Sequence, residues 1–247
     1  MTKAVKNGFT LIEMVIVIVL LGIVSSIGVG LLSIVFNGYI DARNLFYLFY
    51  EAKFGVERMD REFRESIPNS IVLNDNQTIT FVKFKSGSFY DRLSENKIEV
   101  KESGVTLNID DKISIYNTNV HQIYTSSYCN IGDNSSRVYR IDNNTDNITL
   151  CKSIVADSPM NKFYIIDEVV TFKKSGNAVL RCSSKVFTNY PVDENCMVLF
   201  KHIGYISFKY DEKSYFINDQ LIDISLEMSK NNVKLPYKHK VHIRNTP

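Results

Sequence analysis

A single carboxylate, Glu13, stands at the head of an uncharged run that covers residues 14–36. An acid entering lipid is expensive unless its charge is offset, so a carboxylate there reads as a functional group. In low dielectric it can attract a cation such as a chain-terminal ammonium. The bland alternative is that it reaches back to the headgroup layer. Gly8-Phe9 lies just ahead of it, so the distinctive glycine precedes the apolar run. Other candidate chemistry is sparse. Of His121, His202, His239 and His242, the last two are three apart on an expected strand. They then face opposite sides and make a poor metal pair. Asp142-x-Asn144-x-Asp146 spaces oxygens like a calcium loop, but Asn147 and Ser153 occupy the glycine and bidentate-glutamate places, so a polar turn is expected. There is no G-x-S-x-G, P-loop or H-E-x-x-H pattern. No cofactor and no metal site are expected, and an enzyme is the least supported class.

The four cysteines, Cys129, Cys151, Cys182 and Cys196, all follow the apolar run, and none forms a C-x-x-C pair. An even number in an exported region points to two disulfides. Of the three possible connectivities, the sequential one, Cys129-Cys151 with Cys182-Cys196, is expected. The other two stay open, as do buried free thiols. Lys and Arg number 29 against 27 Asp and Glu, a net charge of +2. With no basic patch interleaved with aromatics, nucleic acid is not an expected partner.

The elements that hold Glu13 are legible. The run 14–36 has 23 residues, about 35 Å of helix, enough to cross a hydrocarbon core of about 30 Å. Lys3 and Lys6 precede it, which places them in the cytoplasm and the rest of the chain outside. A cleaved secretory signal would have a shorter apolar region with its small-residue site behind it. An ordinary signal anchor explains the span but not Glu13. Gly22, Ser26 and Gly30 recur at a spacing that lets helices approach, and Gly28 and Gly38 add weak points. Ordinary membrane-helix glycine use explains them as well.

Beyond the span, Leu45, Phe49, Ala52, Val56, Met59 and Phe63 form one apolar helical stripe. The charged residues from Glu57 to Glu65 read as a solvated face, with Glu57–Arg61 and Asp60–Arg64 as pairs four apart. Pro68 ends the helix. A helix over 9–66 would be about 87 Å long. After Pro68 the sequence turns to strands, expected over 78–84, 97–101, 105–109, 112–117, 165–173, 178–182, 198–211, 221–229 and 233–244. Ser175-Gly176-Asn177 marks a hairpin. Pro236 puts the last strand at an edge or a bulge. The expected fold is therefore α+β: a long N-terminal membrane-spanning helix on a β-rich domain. Its segments are 1–8, 9–36, 37–67 and 68–247.

The string Gly8-Phe9-Thr10-Leu11-Ile12-Glu13 resembles the class III signal of type IV prepilins and type II secretion pseudopilins. The resemblance implies cleavage between Gly8 and Phe9 by prepilin peptidase, conversion of Phe9 to N-methylphenylalanine, and a role for Glu13 in attracting a neighbouring subunit's N-terminus. It implies the pilin fold, with 1–8 a removed basic leader and 68–247 periplasmic. Membrane lipid would be the partner before assembly. Other minor and major pilins and an inner-membrane assembly platform would follow. Residues 57–70 (ERMDREFRESIPNS), Phe208-Lys209-Tyr210-Asp211, Cys182 after the hairpin and residues 241–247 (VHIRNTP) are similar to minor pilins of mannose-sensitive haemagglutinin (MSHA) pili. The broader relatives are PilW-like and J-type subunits. The large domain then implies a minor subunit at initiation or at the tip. A secretion pseudopilin and a membrane-anchored adhesive module are the alternatives.

Overall fold

Nothing between Leu11 and Arg64 interrupts helical backbone hydrogen bonding, and these 54 residues form one helix, α1 (Leu11–Arg64). The computed structural model describes residues 8–101, 104–125, 128–145, 147–186, 190–211 and 219–244. Lys3 and Lys6 of the expected leader lie outside the described residues, as does Asp146. The chain divides into two compact units, Met1–Tyr47 and Leu48–Pro247. In the first, α1 is apolar all round, and its large side chains from Leu11 to Phe36 are exposed. It is long and apolar enough to cross a membrane.

The second unit begins with the amphipathic part of α1. Leu48, Ala52, Val56, Met59 and Phe63 are fully buried. The expected stripe thus holds from Ala52 onward, but before it Leu48 is the buried residue, while the expected Leu45 and Phe49 both stay about two-fifths exposed. Three aromatics and a leucine occupy positions 46–49, and a 3.6-residue period alone does not choose among them. Phe63 meets Phe81 and Phe172 with ring centroids 5.1 and 5.4 Å away. Removing such a ring costs about 3–5 kcal/mol. The helix ends at Arg64, and Ile67 has left it, donating to the Val82 carbonyl at 2.8 Å. Its place before Pro68 favours that conformation.

Among the described residues twelve strands follow: β1 (Val72–Asp75), β2 (Thr78–Ser94), β3 (Lys97–Val100), β4 (Lys112–Ile115), β5 (Val138–Asn144), β6 (Ile148–Leu150), β7 (Lys162–Ser175), β8 (Ala178–Ser184), β9 (Met197–Phe200), β10 (Ile203–Asp211), β11 (Asp219–Lys230) and β12 (Val233–Arg244). All pairings between them are antiparallel. The fold is α+β, one long apolar helix plus a β-rich domain. β1 to β9 form one sheet in the order β1-β2-β3-β6-β5-β4-β7-β8-β9, and β10-β11-β12 form a second. Helix residues 48–63 share one core with both, including Phe81, Phe172, Phe208, Ile224 and Val241.

The long strands β2 and β7 also pair directly, from Thr78↔Lys173 to Phe89↔Lys162. This closes the ladder β2-β3-β6-β5-β4-β7 on itself. Closure removes strand edges, and a six-stranded ring is narrow enough for side chains to fill. Tyr90, Tyr139, Phe163, Ile98, Ile113 and Ile141 do so, all fully buried.

Several expected strands need correction. Residues 105–109 form no strand. Leu107 packs into the barrel core, and its carbonyl accepts from Asn144 Nδ2 at 2.6 Å. The run 198–211 is two strands, because the chain leaves one sheet for the other at Lys201-His202, with His202 left-handed at φ 62°. β1, β5 and β6 were not expected. The β7–β8 hairpin turns at Gly176, whose φ of 57° suits a tight turn. Pro236 sits on edge strand β12 in unbroken register opposite Glu227.

Candidate functional site

The Gly8–Phe9 bond precedes the helix. Helical bonding begins at Thr10, whose carbonyl accepts from Glu13 N at 3.1 Å and Met14 N at 3.3 Å. Residues 8–10 are irregular and exposed, with Phe9 at 79%. A peptidase needs such an unpaired backbone. A Cβ built on Gly8 would meet nothing within 4 Å. Packing inside this chain therefore makes no demand for glycine there.

Glu13 is the third residue of α1, so Thr10-x-x-Glu13 has capping-box spacing. An acid in a first helical turn also suits the helix dipole. The carboxylate is exposed. Gly22 and Gly30 have open space where a Cβ would stand, and the Ser26 hydroxyl is satisfied by the Ile23 carbonyl at 2.8 Å. Gly55 contrasts with them: a Cβ there would lie 2.2 Å from the Phe200 ring.

Cys129 is bonded to Cys151, and Cys182 to Cys196. The first bridge ties a surface loop to the end of β6. The second joins β8 to the residue preceding β9. Beside the first, Lys152 is nearly buried and donates to the carbonyls of Asp133 (3.0 Å) and Ser136 (3.1 Å). Burial holds its ammonium below the usual lysine range.

The charged face of α1 is not wholly solvated. Glu62 is 7% exposed and accepts from Arg181 Nε at 3.0 and 2.7 Å. Arg181 also donates to Glu168, and Arg58 to Glu62 at 3.3 Å. Burial alone would lower the Arg181 pKa, but its hydrogen bonds to Glu168 and Glu62 raise it. Reading 57–65 as one charge run concealed that Glu62 flanks the buried stripe, three residues after Met59. Asp60–Arg64 pairs at 3.0 Å as expected, whereas Arg61 donates to the Glu57 carbonyl and not to its carboxylate.

His239 is half-buried, 3.5 Å from Asp60, and His242 is exposed. Asp142 accepts from Arg140. Among the described residues no three His, Cys, Asp or Glu side chains gather as metal ligands.

Residues 3–29 match the family described as the prokaryotic N-terminal methylation motif. The match spans the Gly8–Phe9 bond, Glu13 and the first part of α1, and supports a type IV prepilin-like signal. No curated protein and no solved structure matches the chain.

Proposed function

We propose that the chain is a minor pilin-like subunit, cut between Gly8 and Phe9 by prepilin peptidase and methylated on Phe9. The observation that carries this is the methylation motif at residues 3–29, which runs into the exposed apolar part of α1. Residues 9–36 hold the subunit in the inner membrane of a Gram-negative bacterium, with 68–247 in the periplasm. From there an assembly platform packs it with other minor and major pilins. Glu13 supplies a charge that each incoming N-terminal ammonium can meet, which lets both leave water together. Gly22, Ser26 and Gly30 let a neighbouring helix approach. The size of the β-rich domain and the segments similar to MSHA-type minor pilins favour a subunit that initiates or tips such a pilus.

Mass spectrometry of the mature chain tests the reading. An N-terminus at Phe9 carrying one extra methyl group is expected. An intact Met1, or a cut beyond residue 36, overturns it. A type II secretion pseudopilin gives the same mass, and loss of a secreted enzyme with retained pili in a deletion strain would favour that role.

A further inference from the structure

Residues 129–135 lie against the β-rich domain without packing into it. None of these residues is buried, and Ile131, their one large apolar side chain, is 92% exposed. Asp133 N donates to the Asn130 carbonyl at 3.2 Å, and Gly132 between them has φ 94°, so the segment turns back on itself. A segment that buries so little apolar surface opens readily unless something else holds it.

Two ties reach it from the end of β6. Cys151, directly after β6, is bonded to Cys129, 22 residues away in sequence. The next residue, Lys152, is 5% exposed and donates to the carbonyls of Asp133 at 3.0 Å and Ser136 at 3.1 Å. Its ammonium also stands 5.4 Å from the centroid of the Tyr139 ring. Ser136 is fully buried just ahead of β5, so the Asp133 carbonyl is the contact that the exposed segment itself supplies.

The Lys152 tie is weak alone. A buried ammonium is costly unless a charge offsets it, and both of its hydrogen-bond acceptors are neutral carbonyls. The Asp133 carboxylate attracts it but accepts from Ser135, N at 2.8 Å and Oγ at 2.6 Å, while Arg137 repels it. Returning the ammonium to water therefore offsets much of what its two bonds contribute. The covalent tie is left to decide whether the segment stays closed.

We infer that the Cys129–Cys151 bridge is a redox-sensitive latch that keeps residues 129–135 closed over the Lys152 amine. Such a bridge forms in an oxidising compartment, so the amine is open before oxidation and covered after it. A dithiol reverses the change. One of its thiolates attacks a bridge sulfur, and the other cysteine leaves as a thiolate and takes up a proton. Its second thiol then displaces the first cysteine from the mixed disulfide. The reagent ends as a disulfide, and Cys129 and Cys151 each end as a thiol, two electrons and two protons having passed to them. The inference does not depend on the pilin reading, because it rests only on residues of the β-rich domain.

The test uses the full chain in detergent micelles and an amine-acetylating reagent. Peptide mass spectrometry gives the acetylation rate of Lys152 relative to exposed Lys97. In the oxidised chain Lys152 should react far more slowly than Lys97. The double variant Cys129→Ser with Cys151→Ser should raise its relative rate at least about thirtyfold, the lower end of what a bridge contributes to a closed state. Cys182→Ser with Cys196→Ser removes the other bridge and should leave Lys152 slow. Dithiothreitol acting on that second variant opens Cys129–Cys151 alone in a chain with both cysteines present, and should raise the rate as well. Circular dichroism checks that each form is folded. A Lys152 that stays slow once its bridge is open, reacts as fast as Lys97 while it is closed, or is released equally by loss of Cys182–Cys196 would overturn the inference.

Discussion

Arg181 meets Glu62 with Nε within 3.0 Å of one carboxylate oxygen and 2.7 Å of the other, their side chains only 8% and 10% exposed. Glu62 lies on the helix and Arg181 on β8, so the contact fixes the rotation of the helix against the sheet within the second unit. Arg181→Ala would take the buried donor from two carboxylates, leaving Glu62 with the more exposed Arg58 alone and Glu168 without its guanidinium. The expected loss is about 3–5 kcal/mol, read from urea unfolding of the full chain in micelles. Arg58 is 38% exposed where it reaches Glu62, so Arg58→Ala should lose less than about 1 kcal/mol. Equal losses for the two variants would refute a buried origin for the effect.

Gly55 is where the helix and Phe200 come closest. Phe200 is 3% exposed in the main core, so its ring has nowhere to go. Gly55→Ala therefore overpacks the site at about 1–3 kcal/mol, more than the roughly 1 kcal/mol that Ala gains over Gly in a helix. A fall in thermal midpoint is expected. Gly22→Ala and Gly30→Ala meet open space and should leave the isolated subunit's midpoint unchanged or higher. If they also lower incorporation into filaments, the close contact they disturb lies in another chain.

The alkaline limb of stability has a definite sign. Burial pushes the phenols of Tyr90, Tyr124 and Tyr139 above the ordinary tyrosine range. Raised folded-state values give stability that is complete below about pH 10 and is lost as pH rises through that point. Lys152, lowered by burial, works the opposite way in the window just below its ordinary value. Three groups against one give a net fall. Tyrosinate absorbance should therefore stop short of all 14 tyrosines until circular dichroism collapses, and the remainder should then appear together with unfolding. Tyr124→Phe should flatten this limb, while losing about 1 kcal/mol at neutral pH with the bond to the Ser70 carbonyl. Full tyrosinate absorbance over an unchanged circular dichroism spectrum would refute the burial account.

What could be read from the sequence follows from how local each signal is. A membrane imposes an unbroken apolar run, so the apolar helix and the residues flanking it were visible. The hairpin at Gly176 and the edge position of Pro236 follow from single-residue backbone chemistry, and both were legible. The barrel was not. It depends on β2 and β7 running 17 and 14 residues and pairing at a separation no local pattern carries. Lys85-Ser86-Gly87-Ser88 within β2 has the composition of a turn, and the Asn143-Asn144 tail of β5 does too. Glu62 was missed for the same reason. Its partner, Arg181, lies far away in sequence.

Glu13 offers the sharpest separation between a local and an assembly role. Cleavage before Phe9 would leave an ammonium four residues before Glu13, in the irregular segment just ahead of α1. A self-contained role, as a capping acid or as partner to the chain's own amine, would act within one subunit. Glu13→Gln would then change helix stability or membrane insertion whether or not other copies are present. A role toward a neighbour acts only between chains. In that case Glu13→Gln inserts normally and is cut normally at Gly8–Phe9. Its crosslinking to a wild-type copy in the membrane should fall at least about tenfold, because one buried charge is left without its counterpart. Glu13→Asp, which keeps the charge on a shorter arm, should recover part of that loss. Unchanged crosslinking in Glu13→Gln, or poor insertion of that variant by itself, would assign the carboxylate to its own helix.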